Sequence, residues 1–238
     1  MKKMMKCVRM VLPVLTLFLA FFLPPGESAV SVDGPAAVEH PLIALTFDDG
    51  PLRVTTQPLL DGLEKRGVNA TFFIIGNQIA GNEDLVRRMQ EQGHQIGIHT
   101  YDHVMLTGLN RADFDGQVEK SRGVLERELG QGEFFLRPPY GILDDGVIAM
   151  AESPIILWSV DPEDWRDKNT RRVVKHVVEN AFDGAIILLH DIYPQSVQAA
   201  LQIVDELHEK GYLFVTVDQL FAARGIELEP GEVYRMAK

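Results

Sequence analysis

Residues 42–51 are Leu-Ile-Ala-Leu-Thr-Phe-Asp-Asp-Gly-Pro, an apolar run that ends in two adjacent aspartates and a Gly-Pro pair. A short apolar run closed by turn-forming residues is typical of a buried β-strand. Six similar runs follow, and a stretch with helical periodicity separates each from the next. The predicted strands are 42–47, 70–75, 95–99, 134–137, 155–160, 185–190 and 213–217. The predicted helices are 57–66, 84–92, 111–129, 144–151, 170–180, 196–210 and 218–224.

This alternation of strands and helices predicts a single α/β domain with parallel strands joined by helical crossovers. The run Ile-Ile-Leu-Leu at 186–189 is apolar on both faces, as expected for a strand that is covered on both sides. Seven strand–helix units in about 190 residues predict an incomplete (β/α) barrel, smaller than the roughly 250 residues of an eight-unit barrel. An open doubly wound sheet is the alternative, but no glycine-rich phosphate loop follows the first strand.

The first 29 residues have the layout of a secretory signal peptide. Four basic residues precede the apolar run 10–23, and Pro-Pro-Gly and small residues follow it. A run of this length is short for a membrane-spanning helix, which needs about 20 residues, although an uncleaved N-terminal anchor remains the alternative. The only cysteine, Cys7, lies in this segment, so the exported protein would have neither disulfides nor a thiol nucleophile.

Composition and charge also restrict the function. The chain of 238 residues is 46% apolar and 24% charged, which is ordinary for a globular protein. Removal of residues 1–28 takes away four basic and one acidic residue and changes the formal net charge from −11 to −14. Such a surface repels nucleic acid and anionic lipid and suits a neutral or cationic substrate. The predicted organisation is a signal peptide or anchor (1–29), a linker (30–40), the α/β domain (41–224) and a C-terminal tail (225–238).

Five groups of polar residues come directly after predicted strands. They are Thr-Phe-Asp-Asp-Gly-Pro at 46–51, His-Thr-Tyr-Asp-His at 99–103, Arg-Pro-Pro-Tyr-Gly at 137–141, Asp-Pro-Glu-Asp-Trp at 161–165 and Leu-Leu-His-Asp at 188–191. In a parallel barrel the carboxyl ends of all strands open on one face, where active sites are built. The five groups are therefore expected to converge on one site.

The two histidines of the second group indicate a metal site. His99 and His103 are four residues apart, so both rings reach one point if the segment turns there. Asp48 or Asp49 from the first group would complete a set of two histidines and one carboxylate, which suits a divalent ion such as zinc. A bare pair of histidines at this spacing is more often a surface feature, but the aspartate pair at a neighbouring strand end favours the metal.

The remaining polar residues suit hydrolysis. A metal hydrolase needs one carboxylate on the metal and a second that takes a proton from water, which would explain two adjacent aspartates. Arg137 would hold the free carboxylate by a charge-assisted pair. His190 would donate a proton to the leaving group, and Asp164 or Asp161 would raise its pKa.

Together these five segments resemble the motifs of the polysaccharide deacetylases, the NodB-homology group that forms carbohydrate esterase family 4. The resemblance runs from about residue 41 to 223, and Val104 departs from it at a position where the family often has proline. It implies a distorted (β/α)₇ barrel, TIM-like, and a divalent metal ion, zinc or a similar ion such as cobalt. It implies metal ligands at Asp49, His99 and His103, a general base at Asp48 oriented by Arg137, an oxyanion donor at the Tyr140 N–H, a general acid at His190 tuned by Asp164, and an acetyl pocket formed by Trp165 and Leu188, with Tyr140 also at the substrate.

The function implied by this resemblance is N-deacetylation of N-acetylglucosamine residues in a cell-envelope or extracellular polysaccharide, such as peptidoglycan or chitin-type oligomers. The export segment agrees with that location. An O-acetyl esterase acting on xylan and an inactive glycan-binding module are the alternatives. No nucleic-acid partner is expected, and nothing in the sequence indicates an obligate protein partner.

Overall fold

A computed structural model describes residues 40–238. The predicted signal segment and nearly all of the predicted linker lie outside this range. The strands are β1 (Leu42–Asp48), β2 (Thr71–Ile74), β3 (Gln95–Ile98), β4 (Ile155–Ile156), β5 (Ala185–His190), β6 (Leu213–Val215) and β7 (Val233–Tyr234). The helices are α1 (Arg53–Glu64), α2 (Glu83–Glu91), α3 (Arg111–Leu129), α4 (Asp145–Met150), α5 (Thr170–Asn180), α6 (Pro194–Glu209) and α7 (Val217–Ala222).

The strands form a closed but irregular ring. β1 pairs in parallel with β5 along its whole length, and its other edge is shared by β2 near its carboxyl end and β6 near its amino end. β2 continues to β3, and Leu136 then bridges β3 to β4. Val160 bridges back to β5 and closes the ring. This closed path has six strand positions, and β6 lies beside β1 as the seventh. The arrangement confirms the predicted distorted (β/α)₇ barrel in a single domain and excludes the open sheet.

Alternation along the strands places the polar residues. Ile43, Leu45 and Phe47 point outwards and pack in the large apolar layer beneath the helices. Ala44 points inwards, into a smaller cluster that is closed by Phe221 of α7. Because side chains alternate along a strand, residues 46 and 48 continue the inward series of residue 44 towards the carboxyl end. Apolar pattern alone thus directs Thr46 and Asp48 into the barrel.

Two of the predicted strands differ from the structure: one is not a regular strand, and the other is shorter than predicted. The prediction of a strand at 134–137 is wrong, since Leu136 alone pairs there and Pro138 and Pro139, which have no N–H donor, follow at once. The predicted strand 155–160 is regular only over β4. The carbonyls of Ile156 and Leu157 accept hydrogen bonds from the Arg137 guanidinium (3.0 and 3.1 Å), so they are not available to a neighbouring strand.

Other boundaries differ less. α1 starts four residues earlier than predicted, because the N–H groups of Thr55 and Thr56 both donate to the Leu52 carbonyl and begin the helix directly after the loop. β7 was not predicted; it pairs with β4, and Met236 bridges Ala185. The domain boundary at residue 224 stays a prediction. Within residues 40–238, every helix is too short or too polar to cross a lipid bilayer.

Candidate active site

The five polar groups do meet at the carboxyl ends of the barrel strands. They surround a cavity of about 390 Å³. Its lining comprises Asp48, Asp49, His99, His103, Tyr140, Trp158, Asp161, Trp165, Leu188, His190 and Tyr193. Arg137 and Asp164 lie behind this lining and contact it through Asp48 and His190. All the residues predicted for the site are therefore brought together, as strand-end placement in a parallel barrel requires.

Asp49, His99 and His103 form one compact group at the rim of this cavity. One potential ligand atom from each lies within 4.8 Å of the others. Oδ1 of Asp49 is 3.2 Å from Nε2 of His103 and 3.5 Å from Nε2 of His99. Burial favours a raised pKa for Asp49, but the two imidazoles lower its pKa well below the usual range, so it is an anion.

This group fits a divalent metal ion. Oδ1 of Asp49 is buried and accepts no hydrogen bond within the described residues, although two imidazole nitrogens face it. Three potential ligand atoms that converge without bonding one another are the arrangement that a divalent ion requires. In addition, Nδ1 of His99 contacts the Arg137 carbonyl at 2.7 Å, which directs Nε2 towards the group. Two histidines and one carboxylate leave further coordination positions open for other ligands.

Asp48 is held beside the metal group by a buried ion pair. Nη1 of Arg137 donates to Oδ1 of Asp48 at 2.8 Å and to Oγ1 of Thr46 at 2.7 Å. Arg137 is fully buried and also lies over the Phe73 ring, 4.0 Å from its centroid. Oδ2 of Asp48 is not used by Arg137 and lies 3.7 Å from Nε2 of His99. The two aspartates therefore have different surroundings, and one carboxylate oxygen of Asp48 remains free at the cavity.

His190 is paired with a buried carboxylate. Oδ1 of Asp164 is 2.7 Å from Nδ1 of His190, and Oδ2 accepts from the His190 backbone N–H at 2.9 Å. Burial favours the neutral ring, but the hydrogen bond and charge of Asp164 outweigh it and raise the pKa of His190 to about 9. Asp161, the other carboxylate considered for this role, instead accepts from the Glu163 N–H at 2.8 Å. His190 is thus a cation at neutral pH, with Nε2 left free.

Tyr140 lies in a tight turn with φ 64°, a left-handed conformation that few residues other than glycine adopt. Its backbone N–H donates to no acceptor within residues 40–238, and its hydroxyl is 3.4 Å from Nδ1 of His103. Trp165 is 54% exposed and Leu188 is buried, and both face the cavity. A free N–H donor and an apolar wall therefore share the space near the metal group.

Two aromatic residues in the lining were not predicted from the sequence. Trp158 follows β4, and Tyr193 lies three residues after His190, so both come after strand ends. That position was a usable signal for Tyr193, whereas Trp158 lies within the strand predicted at 155–160. Neither belongs to one of the five polar groups, however, and aromatic residues next to apolar strands are more often part of the core.

A buried carboxylate supports the loop that carries Asp48 and Asp49. Asp191 accepts a hydrogen bond from Oγ1 of Thr56, which itself accepts from the Leu52 N–H at 2.9 Å. Burial raises the pKa of Asp191 to about 7. A Cβ atom added at Gly50 would overlap the Asp191 carboxylate, so only glycine allows this close approach.

Gly50→Ala is therefore expected to displace Asp191 and the aspartate loop. Overpacking of this kind costs about 1–3 kcal/mol, and we expect a lower melting temperature together with a loss of bound metal. Gly116→Ala is the matched control, because a Cβ atom at Gly116 in α3 meets nothing within 4 Å and alanine favours the helix. Thermal unfolding and metal content of both variants check this. Equal stability of Gly50→Ala and the parent protein would contradict the tight contact.

Comparison with known proteins gives a consistent result. The sequence pattern of the family described as polysaccharide deacetylase matches residues 36–154. The peptidoglycan-N-acetylglucosamine deacetylase PgdA of Listeria monocytogenes is 40% identical over 213 residues, 90% of this chain and 45% of that protein. The peptidoglycan-N-acetylmuramic acid deacetylase PdaC of Bacillus subtilis is 40% identical over 198 residues, 82% of this chain and 42% of that protein. The chain thus spans less than half the length of these two relatives.

Solved structures agree in fold. The T48 deacetylase with substrate matches with a TM-score of 0.78 and 39% identity over 82% of this chain and 96% of that one. A family 4 acetyl xylan esterase from Clostridium thermocellum, in complex with a cobalt ion, matches with a TM-score of 0.78 and 29% identity over 82% of this chain and 98% of that one. The barrel fold is therefore shared with a deacetylase and with an acetyl xylan esterase.

Proposed function

Because the chain belongs to the polysaccharide deacetylase family, we propose that it hydrolyses the N-acetyl groups of a glycan and releases acetate. The observation that carries the proposal is the arrangement of two differently charged groups around one cavity. The Asp48 carboxylate is fixed by Arg137 beside the metal group, and the His190 cation is fixed by Asp164. A base and an acid held apart in this way suit hydrolysis of an amide, which needs both.

Asp49, His99 and His103 would hold the metal ion, and we propose zinc, since two imidazoles and one carboxylate are ligands that zinc prefers. When bound, a divalent ion supplies Lewis acidity that polarises an acyl oxygen and makes water easier to deprotonate. The relative solved with cobalt supports a similar ion as the replacement. Oδ1 of Asp49 is buried and the Arg137 carbonyl orients His99, so these ligand atoms are held in place before an ion binds.

The protein residues would divide the proton transfers. The free Oδ2 of Asp48 takes a proton from the attacking water, whose oxygen forms a bond to the acetyl carbon. The Tyr140 N–H donates to the negative oxygen that develops on that carbon, a contribution of about 3 kcal/mol for a well-placed donor. Nε2 of His190 then protonates the nitrogen as the C–N bond breaks. Acetate and a free amine leave, and Asp48 and His190 return to their starting states by proton exchange with water.

The cavity walls favour an acetyl group on a sugar. Leu188 and Trp165 give an apolar surface that would receive the methyl group. The exposed Trp165 and the partly buried Trp158 and Tyr193 offer aromatic rings to a pyranose ring. The net negative charge suits a neutral substrate and a basic product. PgdA and PdaC both act on peptidoglycan by name, which supports peptidoglycan as the substrate, with chitin-type oligomers as a second candidate. The signal-like residues 1–29 support action outside the cytoplasmic membrane.

Acetate release from a substrate panel tests this proposal. We expect the metal-loaded protein to release acetate from peptidoglycan or from N-acetylglucosamine oligomers, and to do so less well from acetylated xylan. The similarity to an acetyl xylan esterase makes O-deacetylation the second candidate, and release from xylan alone would move the assignment there. Absence of release from all three, with metal bound, would favour a glycan-binding module.

The pH dependence of the reaction depends on Asp164. As the proton donor, His190 must be protonated, so activity should fall as the pH rises through its pKa of about 9. Asp164→Asn removes the anion that stabilises the imidazolium, while burial still favours the neutral ring. The alkaline limb of the kcat profile should therefore move from about 9 towards or below the ordinary 6.5. A limb that stays in place in a folded, metal-loaded variant would show that His190 does not govern it.

A further inference from the structure

The two histidines of the metal group are held in different ways. His99 is 2% exposed, continues from β3, and has its Nδ1 fixed by the Arg137 carbonyl at 2.7 Å. The His103 side chain is 28% exposed and lies four residues further, outside any strand. The hydroxyl of Tyr140 at 3.4 Å is the contact of its Nδ1, a long distance for a hydrogen bond. The direction of the His103 ring therefore depends mainly on the backbone that carries it.

That backbone is a turn in an unfavourable conformation. Thr100 has φ 65° and His103 has φ 56°, so both residues are left-handed although neither is glycine. Non-glycine residues persist in this region only where surrounding contacts hold them. The turn thus needs external support to present His103 to Asp49 and His99.

Gln117, on the second turn of α3, supplies much of that support. Its Oε1 accepts from two consecutive backbone N–H groups of the turn, those of Tyr101 (3.2 Å) and Asp102 (2.9 Å). Its Nε2 donates to Oδ2 of Asp102 at 3.1 Å. One side chain therefore binds three polar atoms of the segment between the two histidines.

Asn77 completes the arrangement from the opposite side. Its Nδ2 donates to Oδ1 of Asp102 at 3.0 Å, and its backbone N–H donates to the Tyr101 carbonyl at 3.0 Å. The N–H of Gly76 donates to the Thr100 carbonyl at 2.9 Å. The turn is thereby clamped between α3 and the loop after β2.

We propose that Gln117 is a positioning residue that sets the affinity of the site for its divalent ion, by fixing the turn that directs Nε2 of His103 towards Asp49. The inference rests on the metal site assigned above to Asp49, His99 and His103. It concerns a side chain that contacts no ligand atom and lies outside the five polar groups of the sequence.

A paired substitution tests the hydrogen-bond pattern itself. Gln117→Glu keeps an acceptor for the two backbone N–H groups, but it loses the donor to Asp102 and places two carboxylates together. Adding Asp102→Asn supplies an amide that donates to the new carboxylate and still accepts from Asn77. The parent protein, the two single variants and the double variant form a complete double-mutant cycle.

We expect chelator competition with Zn²⁺ and with Co²⁺ to show metal affinity weakened at least about 10-fold in Gln117→Glu, comparable to the loss of a residue that orients a metal ligand directly. The double variant should regain most of the lost affinity. In addition, activity of Gln117→Glu should rise with added metal at concentrations where the parent protein is already saturated. Gln90→Glu is the matched control, since this exposed glutamine of α2 donates only to the Leu129 carbonyl, and its affinity should equal that of the parent.

Each contrary result has a distinct meaning. Unchanged metal affinity in folded Gln117→Glu would overturn the positioning role, and so would a double variant no tighter than Gln117→Glu. If Gln117→Glu does not fold, Asn77→Ala, which removes the other donor to Asp102, must still weaken metal binding or the inference fails. A parent protein that binds no metal would instead overturn the metal site itself, and with it the proposed function.

Discussion

Replacement of Asp48 by asparagine is expected to lower kcat for deacetylation by about 10²–10⁴-fold, the usual contribution of a general base. Asparagine has the same shape and can still accept from Arg137 through its carbonyl oxygen, but it cannot take a proton from water. Because Asp48 is not among the three proposed metal ligands, the variant should still bind metal. The measurement is kcat on N-acetylglucosamine oligomers, together with metal content.

The choice of asparagine matters for interpretation. Arg137 is fully buried, and removal of the partner of a buried charge costs about 3–5 kcal/mol, so alanine at residue 48 could lose activity through unfolding alone. Asp49→Asn is a useful contrast, because it should lose metal as well as activity. A folded Asp48→Asn protein with metal bound and the kcat of the parent protein would contradict the assignment of the base.

Removal of the imidazole in His190→Ala is expected to produce the second large effect, and the effect should depend on the leaving group. An amine is a poor leaving group unless it is protonated, so N-deacetylation should fall by about 10²–10⁴-fold. An alcohol leaves more easily without a proton donor, so the loss on an O-acetylated substrate should be smaller. The measurement compares kcat of parent and variant on both substrate types.

His176→Ala is the matched control for this experiment, because His176 lies on α5, outside the residues that line the cavity. It should leave both activities unchanged. An equal loss on amide and ester substrates in His190→Ala would indicate that His190 does not protonate the leaving group and acts instead by shaping the site.

The fold was predictable because one pattern repeats along the chain. The apolar run at 42–47 and its successors carry the alternation that directs Asp48 and His190 inwards at the strand ends. The segment at 134–137 followed the same apolar rule, but only Leu136 pairs there and two prolines follow at once. The segment at 155–160 is regular only over β4, because the guanidinium of Arg137 binds the carbonyls of Ile156 and Leu157. When a distant side chain takes the place of a neighbouring strand as the hydrogen-bond partner, the apolar pattern of the segment does not reveal this change.

The site was predictable to the extent that its residues follow strands. Asp49, His99 and His103 belong to groups that topology must bring together, and the structure places them within one cluster. Gln117 and Asn77 contact the segment between the two histidines from positions without any distinctive signature, in α3 and in the loop after β2. Their contribution depends on which residues lie close together in the folded protein, and the spacing of residues along a single sequence does not give this information.

The most direct test of the central claim measures acetate and free amine together, in one reaction of the protein with N-acetylglucosamine oligomers. We predict one free amine for each acetate, loss of both after treatment with a chelator, and recovery of both after Zn²⁺ or Co²⁺ is returned. Acetate release that is unaffected by the chelator, or no release by protein that holds one metal ion per chain, would contradict a metal-dependent N-deacetylase.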